Sequence, residues 1–391
     1  MMTGRHELAR RIAAGIVGAV VLSITVAGGH GWAQAKAQAQ EKPAKKDPIA
    51  KAAEPWPDAK QVADRRVVAE NLPLFKSEET MAFTLTSDFG AVNRDRDPNS
   101  TKRFPGTLQV PGDGGVQPIP VQVSARGHAR RDPRVCSVVP IRLEFAKKDL
   151  AGTVFEGQKD LKLVTHCDNS SDGEQGVLTE YLTYRILSLF TPRSFRARLV
   201  KVTYVDPKRD KAPVPRYGML LENDDDMARR LEGRLYTVPN RLYNFIEPES
   251  LLLMTVLQYM IGNTDYSIMA LHNVKLVQVR DQTIYPVTYD FDYSGLVNTG
   301  YGVVDKRLGL SSVRERLYRG PCKTMQEFTP LLERITAKKD EVLALIDQIP
   351  DMKPQRRNDA RVYLGEFFAT ASNPGRAKRA FVDNCVKAVG M

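Results

Sequence analysis

Five side chains of one stretch are of types that hold metals and move protons. Asp265, His272 and Asn273 stand in "NTDYSIMALHN", and "YPVTYDFD" adds Asp290 and Asp292 about one hairpin later. Phosphoryl transfer uses such types in this order: an Asp near the accepting hydroxyl, an Asn for metal, and a metal-binding Asp on the next hairpin. It also uses a strand Lys paired with a helix Glu to hold the phosphates, and Lys162 in "LKLV" and Glu180 in the following helical pattern supply those types. Oxygen donors from an Asn and a carboxylate suit Mg²⁺, which retains waters and bridges phosphate oxygens. The two carboxylates beside Phe291 would be costly to bury without a metal or a basic partner. His272 is expected to be a hydrogen-bonded structural residue, and His166, beside Cys167, has no partner that would make it a base.

The elements that must position these residues are legible as changes of period. From Phe83 to about Phe145 the chain alternates in strand fashion ("MAFTLTSDF", "GTLQVPG", "PIPVQVSARG", "VVPIRLEFA"), an antiparallel sheet in outline. "KDLKLVTHC" predicts a further strand, and "VLTEYLTYRILSLF" predicts a helix from its apolar spacing. "SFRARLVKVTYVD" and "PRYGMLLEND" predict two more strands. After Asn223 the pattern turns helical, with "DDMARRLEG" and an almost wholly apolar "PESLLLMTVLQYMIG". A strand, turn and strand then span "HNVKLVQVRDQTIYPVTYDFD". The tail predicts two amphipathic helices, "TMQEFTPLLERITAKKDEVLALIDQI" and "PQRRNDARVYLGEFFATAS". The fold class is α+β: a sheet-rich N-terminal lobe over 62–223 that carries one helix, and a helix-rich C-terminal lobe over 224–391 with an inserted hairpin.

Taken together, "RGHARR" after a sheet, a strand followed by a Leu- and Tyr-rich helix, "YGMLLEND", "NTDYSIMALHN" and "YPVTYDFDYSG" resemble the spore-coat CotH-type kinases. These are secreted proteins with an atypical protein-kinase-like, two-lobe fold, and the resemblance covers about residues 115–300. It implies a catalytic Asp at Asp265, a metal- or phosphate-orienting Asn at Asn273 and a metal-binding Asp at Asp290. It also implies a phosphate-facing basic pair at Arg126 and Arg130. ATP and Mg²⁺ are the cofactors so implied, and a hydroxyl of a protein or a surface glycan is the acceptor. The chain departs from protein kinases in the wider gap between Asp265 and Asn273, so Asn273 stands open as metal ligand or as loop residue. No phosphate-covering glycine loop is present as a motif; "SDFGAVNRD" and "VPGDGG" are turn-like.

Other classes lack their residues. No G-x-S-x-G, H-E-x-x-H or C-x-x-C occurs. A glycosidase with Asp265 and Asp290 as its two carboxylates remains an alternative, but aromatic platforms are wanting: the chain has 2 Trp. A kinase-fold protein kept for binding in the envelope, without catalysis, is the other alternative.

The 391 residues, 42% hydrophobic and 26% charged, suffice for a substantial core. The net charge of +11 is spread among mixed-sign runs such as "DPKRDKAP", and no nucleic-acid motif accompanies it, so no nucleic-acid partner is expected. Arg5, Arg10 and Arg11 precede the apolar "IAAGIVGAVVLSITVAGG", and Ala33-Gln34-Ala35 offers small residues for cleavage. Residues 1–35 are therefore expected to be a signal peptide, with no stable membrane span after its removal. Export to the periplasm or the extracellular space follows. Residues 36–61, rich in Ala, Lys and Pro, are expected to be a disordered tether. Four cysteines in an oxidising compartment predict two disulfides, and Cys136 with Cys167 and Cys322 with Cys385 is the favoured pairing because each joins segments of one lobe.

Overall fold

Seven strands with apolar residues at every second position close on themselves instead of remaining an open sheet. The computed structural model describes residues 47–111, 118–210 and 212–385. In chain order its elements begin with α1 (Pro48–Ala52), α2 (Ala59–Glu70), β1 (Met81–Ser87), α3 (Phe89–Arg94), β2 (Phe104–Gln109), β3 (Ile119–Ala125), β4 (Ile141–Phe145) and β5 (Asp160–Val164). They continue with α4 (Ser171–Phe190), β6 (Ala197–Val205), β7 (Pro215–Leu221), α5 (Asp224–Arg230), β8 (Arg234–Tyr236) and α6 (Pro248–Ile261). Then come β9 (Val274–Gln278), β10 (Ile284–Thr288), α7 (Met325–Thr336), α8 (Lys339–Gln348) and α9 (Pro354–Ala371).

The barrel order is β1-β2-β3-β4-β5-β7-β6. All neighbours are antiparallel except the closing pair, in which β1 runs parallel to β6 with Met81 opposite Val200. Closure leaves no open edge. The barrel interior is filled from every strand, by Phe83, Leu108, Val123, Leu143, Leu163, Val202 and Leu220 among others. A second, larger core joins α4 to α6, α7, α8 and α9 and also takes Leu199 and Met219 from β6 and β7. The strand-rich N-terminal part and the helical C-terminal part thus share apolar contacts, and the described residues belong to one compact unit.

A three-stranded sheet, β10-β9-β8, carries the hairpin of interest in the register Val274 opposite Thr288. α6 packs beside it and ends at Gly262, whose left-handed φ of 67° caps the helix. A Cβ there would lie 1.8 Å from Tyr363 Oη of α9, so the position admits glycine for space as well as for conformation.

Three expectations change. Residues 47–61, inside the expected tether, are ordered by contact: Arg234 donates to the carbonyls of Ala52 and Glu54, and its guanidinium stacks on Trp56 at 4.2 Å. The tail segment from Thr324 to Ile349 is two helices, since Ala337 and Lys338 separate α7 from α8. The antiparallel sheet is a barrel with one parallel pair. The expected signal peptide and residues 36–46 of the expected tether lie outside the described residues.

Both expected disulfides are formed, Cys136–Cys167 with Cα atoms 4.8 Å apart and Cys322–Cys385 at 5.1 Å. Bonds of this kind persist in oxidising compartments. Among the described residues no helix is long and apolar enough to cross a membrane.

Candidate functional site

The hairpin brings the two acidic motifs together. The Tyr289 N–H donates to the Asn273 carbonyl at 3.0 Å, extending the β9–β10 ladder by one step, so Asp290 emerges beside the loop that ends in His272 and Asn273. Asp290 is left-handed, with φ 64°, an uncommon state for a non-glycine residue. One face of α4 holds it there. Glu180 and Tyr184, one turn apart, meet successive backbone groups: Asp290 N–H donates to Tyr184 Oη at 3.0 Å and Phe291 N–H to Glu180 Oε1 at 3.4 Å. Phe291 fills the gap between them, edge-on to Tyr184 at 4.8 Å. The Asp290 carboxylate itself makes no hydrogen bond among the described residues.

Asp292 is buried. Tyr301 Oη donates to its Oδ2 at 3.1 Å, and Thr299 Oγ1 donates to its backbone carbonyl at 2.8 Å. Burial, then the nearby Asp290 charge, push its carboxyl up to about 7. Glu180 is raised well above the usual carboxylate range, by burial first and then by Asp292 and Asp290. Arg130 opposes both shifts. Its buried guanidinium donates to the Thr165 carbonyl at 2.6 Å and lies 5.8 Å from the Tyr301 ring. Arg126, just past β3, is lowered by its burial, with Asp290 opposing and Arg130 adding to the effect. The Nε atoms of Arg126 and Arg130 are both buried without a hydrogen-bond partner among the described residues. The predicted residues Arg126, Arg130, Glu180, Asp290 and Asp292 therefore form one electrostatic cluster.

Asp265 and Asn273 form a second group next to it. Asn273 Nδ2 donates to the Asp265 carbonyl at 2.8 Å and to Asp265 Oδ2 at 3.0 Å, while His272 Nε2 meets Asp265 Oδ1 at 2.9 Å. Asn273 Nδ2 is thus committed to the loop, while its Oδ1, the atom a metal would take, makes no hydrogen bond among the described residues, so both alternatives left by its spacing stand.

Lys162 is not brought to Glu180. Its ammonium pairs with Asp224 Oδ1 at 2.5 Å, and Lys275 from β9 takes Asp224 Oδ2 at 3.2 Å. Both ammoniums lie 5.0 Å from the Tyr289 ring. Pairing of β5 with β7 sets Lys162 opposite Leu221, three residues from Asp224, whereas Glu180 sits in the middle of α4 at the level of Phe291. Burial lowers the Lys162 ammonium, with Asp224 opposing. Sequence reasoning missed Asp224, Lys275, Tyr184 and Tyr301. Only Lys275 had a local signal, as the charge that interrupts the apolar strand "NVKLV".

A cleft of about 610 Å³ reaches the buried cluster and is lined by Arg130, Thr165, Gly176, Glu180, Tyr301 and Arg356. Asp265, Asn273 and Asp290 do not line it. A hollow of about 700 Å³ between α2 and the β9–β10 turn contains none of the predicted residues. No three His, Cys, Asp or Glu side chains among the described residues form a ready metal cage. The donor set nevertheless suits a cation that keeps waters: Asp290 has no hydrogen bond on its carboxylate among the described residues, Asp292 has one oxygen unengaged, and both belong to a cluster of three carboxyls against two guanidiniums.

No family model matches the chain, and no curated protein matches it. Among solved structures it is similar to the Helicobacter pylori proinflammatory kinase CtkA, at 15% identity and a TM-score of 0.33, over 62% of this chain and 91% of that one.

Proposed function

We propose that the chain is an exported protein-kinase-like protein that binds ATP with Mg²⁺ and transfers phosphate to a hydroxyl of a protein or surface glycan. One observation carries this reading: an unengaged carboxylate, Asp290, held in a left-handed conformation by Tyr184 at the end of the hairpin whose other arm begins at the Asp265–Asn273 loop. Asp290 and Asp292 would hold the metal, which when bound neutralises charge on the transferring phosphate. Arg126 and Arg130 bring positive charge to the same place. The Asp265 loop serves the acceptor hydroxyl. Lys162, paired with Asp224 in this state, lies like Lys275 at 5.0 Å from the Tyr289 ring, and the two form a second cationic pair beside that ring.

The test is thermal unfolding of the exported chain with ATP, with and without Mg²⁺, since a ligand bound to the native state raises its stability by mass action. Asp290→Asn should abolish the Mg²⁺-dependent shift while leaving the unliganded fold intact. Asp265→Asn should spare the shift and remove transfer. If wild type shows no nucleotide or metal response and Asp290→Asn unfolds, the acidic pair is structural and the reading fails. A silent binding protein is the second reading, favoured by the Tyr301 hydroxyl already seated on Asp292; it expects the nucleotide shift without any transfer.

A further inference from the structure

The loop between α6 and β9 is stapled at both ends. At its start Asn263 Oδ1 accepts from the Asp265 N–H at 3.0 Å, and Asn263 Nδ2 donates to Gln258 Oε1 at 2.7 Å. Gln258 Nε2 in turn donates to Thr288 Oγ1 at 3.0 Å, so a buried chain of amides fixes the loop to the end of β10. Further on, Ser267 and His272 exchange two backbone hydrogen bonds of 2.9 Å, and Leu271 and Asn273 take left-handed φ values of 52° and 51°. Loops closed in this manner hold side chains rather than let them swing.

What the loop holds is a carboxylate with both oxygens engaged and an imidazole with one nitrogen free. Asp265 Oδ1 meets His272 Nε2 at 2.9 Å, and Oδ2 accepts from Asn273. An imidazole whose Nε2–H faces a carboxylate keeps its unshared pair on Nδ1. Nδ1 has no hydrogen bond among the described residues, and the His272 side chain is 55% exposed. Asp265 is the more sheltered of the two, at 36%. A base must be reachable by the proton that it takes.

We propose that His272 is the group that accepts the proton of the acceptor hydroxyl, with Asp265 as the residue that orients it and stabilises its cation. The proposal rests on the phosphoryl-transfer reading above. In the step, His272 Nδ1 takes the hydroxyl proton as the hydroxyl oxygen bonds to the terminal phosphorus of a nucleoside triphosphate. The bond from that phosphorus to its bridging oxygen breaks, and its electron pair leaves with the nucleoside diphosphate. The imidazolium, paired with Asp265, then returns its proton to water.

The charged groups facing His272 are Asp265 from its own loop and Asp290 from the end of β10. The hydrogen bond to Asp265 raises the imidazole above its ordinary 6.5, burial opposes, and the charges of Asp265 and Asp290 add to the rise. Transfer should climb with pH as the ring loses its proton, because only the neutral ring accepts.

The experiment has two arms on the full exported chain. The first is an NMR titration of the histidine ring protons, in which the His272 signal is assigned by its loss in His272→Gln. A His272 titration that falls in Asp265→Asn relative to wild type supports the dyad, and one that the substitution leaves unchanged overturns it. The second is transfer of labelled phosphate from ATP to myelin basic protein against pH, with ATP affinity measured in parallel. His272→Gln should lower turnover about a hundredfold or more with ATP affinity unchanged, within the range of a lost general base. A His272→Gln enzyme within about threefold of wild type, with Asp265→Asn inactive, makes Asp265 the base and overturns this proposal alone. A wild type that binds no nucleotide overturns the phosphoryl-transfer reading and this proposal with it.

Discussion

Asp292→Asn should stabilise the unliganded protein at alkaline pH. The Asp292 carboxyl is buried beside Asp290 and Glu180, and its folded value is about 7 against an ordinary 3.8. A raised carboxyl is protonated in the native state over a range where the unfolded chain has released that proton, so its contribution is fully present below about 3.8 and is lost as pH rises through about 7. The full shift corresponds to about 4 kcal/mol at pH 8. That figure is an upper bound for one site, because the titration of Asp292 is tied to that of Glu180 beside it. Asparagine removes the charge, and its side-chain oxygen can still accept from the Tyr301 hydroxyl. Urea unfolding at pH 4, 6 and 8 should show the variant gaining about 1–4 kcal/mol over wild type at pH 8 and little at pH 4. Adding Mg²⁺ at pH 8 should stabilise wild type and leave the variant nearly unmoved. A variant weaker than wild type at pH 8, with the deficit shrinking toward pH 4, would refute the reasoning, since the attraction of ionised Asp292 to Arg130 would then outweigh both its burial and the repulsion from Asp290.

Other consequences are separate. Lys162→Met should cost about 1–3 kcal/mol in urea unfolding, below the usual ~3–5 for breaking a buried pair, because Lys275 still neutralises Asp224; the Lys162→Met, Lys275→Met double variant should reach the full cost. Gly262→Ala should lower stability by more than about 1 kcal/mol for its left-handed backbone alone, and adding Tyr363→Phe should recover only the part due to the clash with the hydroxyl. Replacing both Cys322 and Cys385 by Ser should cost about 2–5 kcal/mol and spare any nucleotide response. The same change at Cys136 and Cys167 should also weaken that response, since the Arg130 anchor, the Thr165 carbonyl, lies two residues from Cys167.

How much of this could be seen in the sequence depends on the range of the forces. Strands of the barrel announce themselves because one buried face imposes alternation, as in Met81–Ser87, where buried and less buried positions alternate throughout. Closure does not: the parallel pairing of β1 with β6 joins residues far apart in the chain and leaves no local mark. The hairpin that joins Asn273 to Asp290 was legible because two alternating runs flank a polar turn. The partner of Lys162 was not, because the order of residues along a chain does not say toward which neighbouring element a strand side chain projects. Residues 47–61 were misjudged for a related reason. Their composition suggests disorder, yet Trp56 and two carbonyls find a single arginine, Arg234, from β8.

The acidic cluster explains why a site can be recognised by what it does to stability. Native cores tolerate a buried charge when it is paired, and here Arg230 with Glu222 shows the pattern, two guanidinium nitrogens 2.9 Å from two carboxylate oxygens. Glu180, Asp290 and Asp292 do not follow it. Three carboxyls meet Arg126 and Arg130, whose Nε atoms have no hydrogen-bond partner among the described residues, and Glu180 and Asp292 are displaced far toward the neutral form. A sequence selected for folding alone would replace one acid with an amide of the same shape, which keeps the packing and relieves the repulsion. Asp290 is further held in a conformation that asparagine or glycine adopts as readily. Charge and backbone strain concentrated at one turn cost stability, and under the proposed function a bound magnesium would offset part of that cost by stabilising the ionised forms of Asp290 and Asp292.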